Sequence, residues 1–253
     1  MVLTSPHDLA VVSNVGGKVL CWKYFPNPDN PIDILYPECP YEYNMDDNKS
    51  GWIIHGGAHI IATVLQDYPM DEAHALIPDS FDIKGGEKKI SGAHALHFGA
   101  KVIKKFLNYE FEITSEFRLK SLEYQKSQFA WRTYMHSYEP LPFSLLLVHR
   151  IYLPFKNSSV LSINGRDVFT DNYHTDSVYY FIEKWNEFGL ESESGLISLK
   201  IHTTNLYEEN PLQVLLCEKM GFVLLDSIRH VYLTPGIPTE EMSPKLTLTF
   251  TPY

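Results

Sequence analysis

The chain has 253 residues, of which 44% are apolar and 21% charged. This is enough to bury a sizeable core, and one large domain over 1–253 is expected rather than two. Acidic residues outnumber basic ones, 31 to 21, for a net charge of -10, which argues against a general nucleic-acid binder. No run of 18 uninterrupted apolar residues occurs, so no membrane partner is expected. The first ten residues lack a basic segment followed by an apolar run, so no signal peptide is predicted. Cys21, Cys39 and Cys217 are too few and too scattered for a disulfide framework.

In chain order, residues 17–25 read as a first strand with Val19, Leu20, Trp22 and Tyr24. Five prolines then mark residues 26–50 as a surface excursion. A short helix is predicted from about Ala58 to Gln66. Lys84-Gly85-Gly86-Glu87 reads as a turn, and Gly92 to Asn108 as a helix with Leu96, Ala100, Ile103 and Leu107 near a helical period. Strands are predicted from Phe111 and at 128–136. The apolar run 143–153 reads as a buried central strand. Asn164-Gly165 is a hairpin turn signal. A helix is predicted from about Thr175 to Phe188, stopped by Gly189, and a strand at 196–203. Asn210, Pro211 and Gln213 resemble a helix start, with Gly221 at its C′ position. Strands at 222–233 and 245–250 complete a mainly β fold with peripheral helices around a β-sandwich-like core.

Chemistry-bearing residues fall into a few groups. HGGAH places His55 and His59 four apart, and His94 and His97 follow with His74 between. On helices these could ligate a metal, since a catalytic zinc needs three protein ligands and an open position. Gly56 stands where the zinc-protease pattern requires glutamate. Tyr134, His136 and Glu139 are candidates for acid–base work. Ser13, Ser91 and Ser144 lack the nucleophile-elbow pattern. Lys101, Lys104 and Lys105 belong to the densest basic stretch and are candidate nucleotide or phosphate contacts. The five arginines are scattered, which suggests individual hydrogen bonds rather than a nucleic-acid track. Sixteen tyrosines suit contact surfaces and titrate in alkali. Tyr36, Tyr41, Tyr43, Tyr173 and Tyr207 lie in polar or turn-rich segments and are the candidate contacts.

Two resemblances follow from longer phrases. Residues 205–233, with Cys217-Glu218-Lys219-Met220-Gly221-Phe222, resemble the last part of the acetyl-CoA-dependent N-acetyltransferases, although the family's glycine-rich pyrophosphate loop is missing. The broader resemblance, to cypovirus polyhedrins, rests on GGKVLCWKYF (16–25), GAHALHFGAK (92–101), TYMHSYEPLPFSLLLVH (133–149) and DVFTDNYHTDSVYYFIEKWNE (167–187). It implies a structural occlusion-body protein, not an enzyme. Such a protein forms trimers packed into intracellular crystals that enclose virus particles in the cytoplasm of an infected host cell and dissolve in alkali. It requires no cofactor, although some relatives bind nucleotides. Lysine neutralisation and tyrosine ionisation would drive the acidic chain apart at high pH, in keeping with that implication. The alternative reading is a metal-dependent or acetyl-CoA-dependent enzyme.

Overall fold

A computed structural model describes residues 1–13, 17–37, 42–44, 51–53, 56–64, 80–90, 93–104, 107–122, 126–142, 144–156, 159–168, 178–192, 197–203, 211–218, 220–239 and 244–250, without the side chains of 42–44, 51–53, 63–64, 80–90, 93–104 and 107–110. Within them are twenty strands and no helix. The first sheet contains β1 (Val2–Ser5), β2 (Asp8–Val12), β3 (Val19–Tyr24), β4 (Ile32–Asp33), β7 (Ala58–Val64), β12 (Leu145–Pro154), β15 (Val178–Ile182), β18 (Leu212–Cys217) and β19 (Phe222–Val231). Its order is β1-β2-β3-β7-β12-β19-β18-β15, with β4 on β3. The second contains β8 (Ser80–Ile90), β9 (Ala93–Lys104), β10 (Leu107–Ser121), β11 (Lys126–Ser137), β13 (Val160–Ile163), β14 (Arg166–Val168), β16 (Glu187–Glu191), β17 (Ile197–Thr203) and β20 (Pro244–Phe250). Its order is β14-β13-β16-β17-β20-β11-β10-β9-β8. A separate pair joins β5 (Glu42–Asn44) to β6 (Gly51–Ile53). All pairings in both large sheets are antiparallel.

Period-two alternation aims one face of each sheet at the other. In β11, Phe129, Trp131, Thr133 and Met135 are buried and their neighbours are not. Phe129 and Trp131 meet Trp22, Ile151, Leu153, Leu225 and Val214 of the first sheet in one apolar cluster, with Phe117, Leu246 and Leu248 beside them. Trp22 and Phe129 pack with ring centroids 5.8 Å apart. At one end of this core, Asp8 accepts hydrogen bonds from Trp22 Nε1 at 3.1 Å and from the Ser5 and Ser127 hydroxyls. Several donors to one buried carboxylate offset the cost of taking its charge out of water.

The predicted strand at 143–153 is central. β12 lies between β7 and β19, and nine of its ten residues are buried. The Asn164-Gly165 turn also forms, with φ of 52° and 72°. Positive φ at both central residues matches the twist of the β13–β14 hairpin. The Asn164 carbonyl oxygen accepts from Asn186 N, and its amide donates to Lys184 O.

The peripheral helices are corrected wherever their segments are described. Ala58–Val64 is β7, and Gly92 to Asn108 gives β9 and the start of β10. Lys84 to Glu87 runs inside β8 rather than turning. Within the range of the helix predicted from Thr175 to Phe188, Val178–Ile182 is β15, where Tyr179 and Phe181 are exposed and Val178, Tyr180 and Ile182 half-buried. That is a strand's period, and its aromatic and β-branched residues favour a strand. The predicted helix over 210–221 is β18, and all six of its residues are buried. A strand apolar on both faces carries residues at helical spacing by default, so periodicity could not discriminate. Gly221 does take positive φ, 71°, but in the turn between β18 and β19.

Candidate functional site

β12 sorts its side chains by parity. Leu145, Leu147, Ile151 and Leu153 pack in clusters that contain second-sheet residues. Leu146, Val148 and Tyr152 pack in clusters made only of first-sheet and loop residues. Arg150 shares the second parity and therefore stands on the sheet's outer face. Strand register sets it in a row: His59 on β7 lies opposite Arg150, Arg150 opposite Asp226 on β19, Asp226 opposite Gln213 on β18, and Gln213 opposite Phe181 on β15. Five adjacent strands thus present a histidine, a guanidinium, a carboxylate, an amide and an aromatic ring on one face.

The centre of this row is buried. Arg150, Asp226 and Gln213 are each 3–4% exposed. Arg150 donates twice to Asp226, Nε to Oδ1 at 2.8 Å and Nη2 to Oδ2 at 2.5 Å. This fork geometry fixes both groups. The ends are more open: His59 is half-buried, and Phe181 and Tyr179 are 47% and 46% exposed. The His59 ring stacks on Tyr152, centroids 6.1 Å apart. Tyr152 packs on Phe222, and Phe222 on Tyr36.

His149, one residue before Arg150, points the other way. Its Nε2 lies 3.0 Å from Thr133 Oγ1 on the opposite sheet, and the ring meets Trp131 edge-on at 4.9 Å. Burial, and secondarily the Arg229 charge, lower its pKa to about 3. It is a neutral core histidine, which predicts a pH dependence of folding. An unfolded histidine takes up a proton near its ordinary value of 6.5, so stability present above that pH drains away as pH falls from there toward about 3. Between pH 7 and 5 the loss from this residue should be about 2 kcal/mol. Urea titrations at the two pH values check it, and His149→Gln should flatten the slope.

The predicted contact, phosphate and metal residues fall as follows. Tyr36 follows β4, where its hydroxyl donates to Met220 O at 3.1 Å. Its backbone N donates to Tyr152 O, and its carbonyl accepts from Gly57 N. It also lines a cleft of about 760 Å³ between the ends of the two sheets, with Ile34, Phe155, Leu190, Leu199 and Leu248. This tyrosine stitches a loop to the outer face of β12. Tyr43 lies in β5 opposite Trp52. Tyr41, Tyr173, Tyr207, Lys105 and His55 lie outside the described residues, as does His74. Lys101 and Lys104 are in β9, opposite Glu110 and Leu107. His94 and His97 are also in β9, opposite Phe117 and Thr114. The helical face that would have joined them does not exist. Among the described residues no group of three metal-ligating side chains occurs. His136 lies 4.0 Å from Glu112 and edge-on to Tyr138, while Glu139 is in the turn that follows.

Of the site now in view, only His59 was singled out from sequence. Arg150 and Asp226 are 76 positions apart, and only strand register brings them together. An arginine inside an otherwise apolar strand was the available signal, because such a charge requires a buried partner.

No family model matches the chain, and no curated protein matches it. Solved structures do. A protein from Synechocystis sp. PCC 6803 superposes with a TM-score of 0.65 at 10% identity, covering 99% of this chain and 95% of that one. A putative aldose 1-epimerase from Escherichia coli gives 0.57 at 12% identity, covering 99% and 98%. A galactose mutarotase-like protein from Lactobacillus casei gives 0.58 at 13% identity, covering 98% and 99%. The chain has the galactose mutarotase-like fold.

These near full-length matches overturn the polyhedrin resemblance and, with it, the occlusion-body function and the non-enzymatic reading. Its phrases are parts of this fold. GGKVLCWKYF contains β3, GAHALHFGAK contains most of β9, TYMHSYEPLPFSLLLVH joins β11 to β12, and the last phrase runs from β14 to β15. Short aromatic strands in sequence order are common to many β proteins, so their succession carried no family information. The acetyltransferase resemblance required a helix where β18 stands.

Proposed function

We propose that the chain is a carbohydrate-converting enzyme of the aldose 1-epimerase type, taking a cyclic sugar on the outer face of the first sheet. The observation that carries this reading is the in-register row His59–Arg150–Asp226–Gln213–Phe181. The fold supports it, since solved neighbours bear the names aldose 1-epimerase and galactose mutarotase-like protein.

Interconverting anomers takes one base and one acid. The base removes the proton from the anomeric hydroxyl, and the acid protonates the ring oxygen as the C1–O5 bond breaks. The open aldehyde turns about C1–C2, and the same groups run the steps in reverse. A carboxylate has about four lone-pair sites. Arg150 occupies two of those on Asp226, leaving others to accept the hydroxyl proton. His59 supplies the acid. It stands two strands from Asp226, about 10 Å at the usual spacing, with Arg150 on the strand between them. Gln213 supplies donor and acceptor for a hydroxyl, and the exposed Phe181 and Tyr179 rings give the apolar sugar face a platform.

Freshly dissolved α-D-glucose and α-D-galactose, followed by polarimetry, should equilibrate faster with the protein present than in buffer. Asp226→Asn and His59→Gln should each lower that acceleration about 100-fold or more, with thermal melting to confirm that the variants are folded. Sugar binding seen by saturation-transfer NMR without acceleration would assign the face to recognition alone. Neither binding nor acceleration would overturn the proposal.

A further inference from the structure

The outer face of the second sheet holds a different cluster of charges, away from the row just described. Ala130 on β11 lies directly between Arg118 on β10 and Lys245 on β20. Along β11 its same-face neighbours are Gln128 and Arg132, and Lys120 stands opposite Gln128. A methyl group is therefore fenced by four long polar side chains, three of them cationic, with a fourth cation diagonally across. The result is a basin of about 130 Å³ whose floor is Ala130. Cross-strand side chains start about 5 Å apart and same-face neighbours about 7 Å apart, so all the head groups can reach one point above that methyl.

The charge balance is one-sided. Among the described residues, Arg118, Lys120, Arg132 and Lys245 line the basin with one acid, Glu116, which stands opposite Arg132. The next strand out, β17, places His202 beside Lys245. The acid there, Glu187, is engaged by Lys200 at 3.0 Å and faces His202 at 3.5 Å. This concentration of positive charge occurs in a chain of net charge -10. Four cations on one patch repel one another, and a ligand that neutralises them stabilises the folded state.

We propose that this basin binds a phosphate group. A phosphate offers nearly two negative charges and three strong acceptor oxygens, matching guanidinium and ammonium donors that converge from several sides. The basin, about 130 Å³ and open to solvent, has room for a tetrahedral oxyanion. Inorganic phosphate and the phosphate of a small monoester share this chemistry.

The test is calorimetric titration of the intact protein at low ionic strength, with inorganic phosphate in one arm and glucose 6-phosphate in the other. One saturable site should appear, weakening as salt is raised. The double variant Arg118→Ala/Lys245→Ala should bind at least ten-fold more weakly. Ala130→Leu, which fills the floor without removing charge, should weaken binding comparably. Lys23→Ala, which removes a cation paired with Asp33 on the other sheet, should leave it unchanged. Thermal melting checks that each variant is folded. Equal affinity in the two arms would support free phosphate as the ligand, and tighter binding of the ester would support an organic phosphate at the same site. No saturable binding by the parent protein, or equal losses in Lys23→Ala and the double variant, would overturn the proposal.

Discussion

Asp226→Ala is expected to destabilise the protein by about 3–5 kcal/mol, read as a lower urea midpoint with little change in slope. The variant leaves the Arg150 guanidinium buried without the carboxylate it grips through two hydrogen bonds. Much of the loss is therefore the cost of an uncompensated buried charge rather than the worth of the pair. The double replacement Arg150→Met/Asp226→Leu should accordingly regain most of that stability, because an apolar pair of similar volume carries no desolvation cost. It should also abolish the sugar chemistry proposed for this face. A loss below about 1 kcal/mol for Asp226→Ala, the range of exposed pairs, would mean that the pair is solvated in solution. The two readouts separate what the charges do for stability from what they do for function. The apolar double variant should be stable and inactive.

Gly57→Ala should cost a similar amount, about 2–5 kcal/mol from overpacking and left-handed strain together. Gly57 has φ of +66°, and a Cβ there would sit 2.1 Å from the backbone oxygen of Val19. Backbone atoms cannot swing aside as a flexible side chain can. The residue is also pinned, donating to Tyr36 O and accepting from Tyr152 N. Any relaxation would move the β12 segment beside Arg150. Gly165→Ala is the matched comparison. Its φ is similarly positive, +72°, but nothing lies within 4 Å of the added carbon, so only the conformational cost of about 1–2 kcal/mol applies. Thermal unfolding of the two variants side by side would check the difference. Equal losses would remove the close approach as the cause.

Gly57 also shows how the sequence was partly readable. HGGAH reads as a candidate metal-binding histidine pair with Gly56 where the zinc-protease pattern requires glutamate. The glycines were the structural message, since this point where β3 and β7 meet has no room for a side chain. The tyrosines divide in the same way. Tyr24 and Tyr152 are 2% exposed and fill space, whereas Tyr138 and Tyr232 are 67% and 79% exposed. Burial, with a lesser contribution from Asp8, raises the Tyr24 pKa above its ordinary value. Composition could count tyrosines but could not place them.

The sequence by itself determined the strands that alternate or run continuously apolar, such as β11 and β12, and the Asn164-Gly165 turn. In these the signal is local: side-chain period and backbone φ preference act within a few residues. It misread β7, β9, β15 and β18 as helices. In β18 all six residues are buried, and a segment apolar on both faces has no period to read. Only the tertiary structure decided the candidate site and the phosphate basin. The Arg150–Asp226 pair and the fence around Ala130 exist because antiparallel register sets residues from distant parts of the chain side by side, a few ångströms apart on one face. That register is fixed by which faces the whole sandwich can bury, and no single segment carries the information.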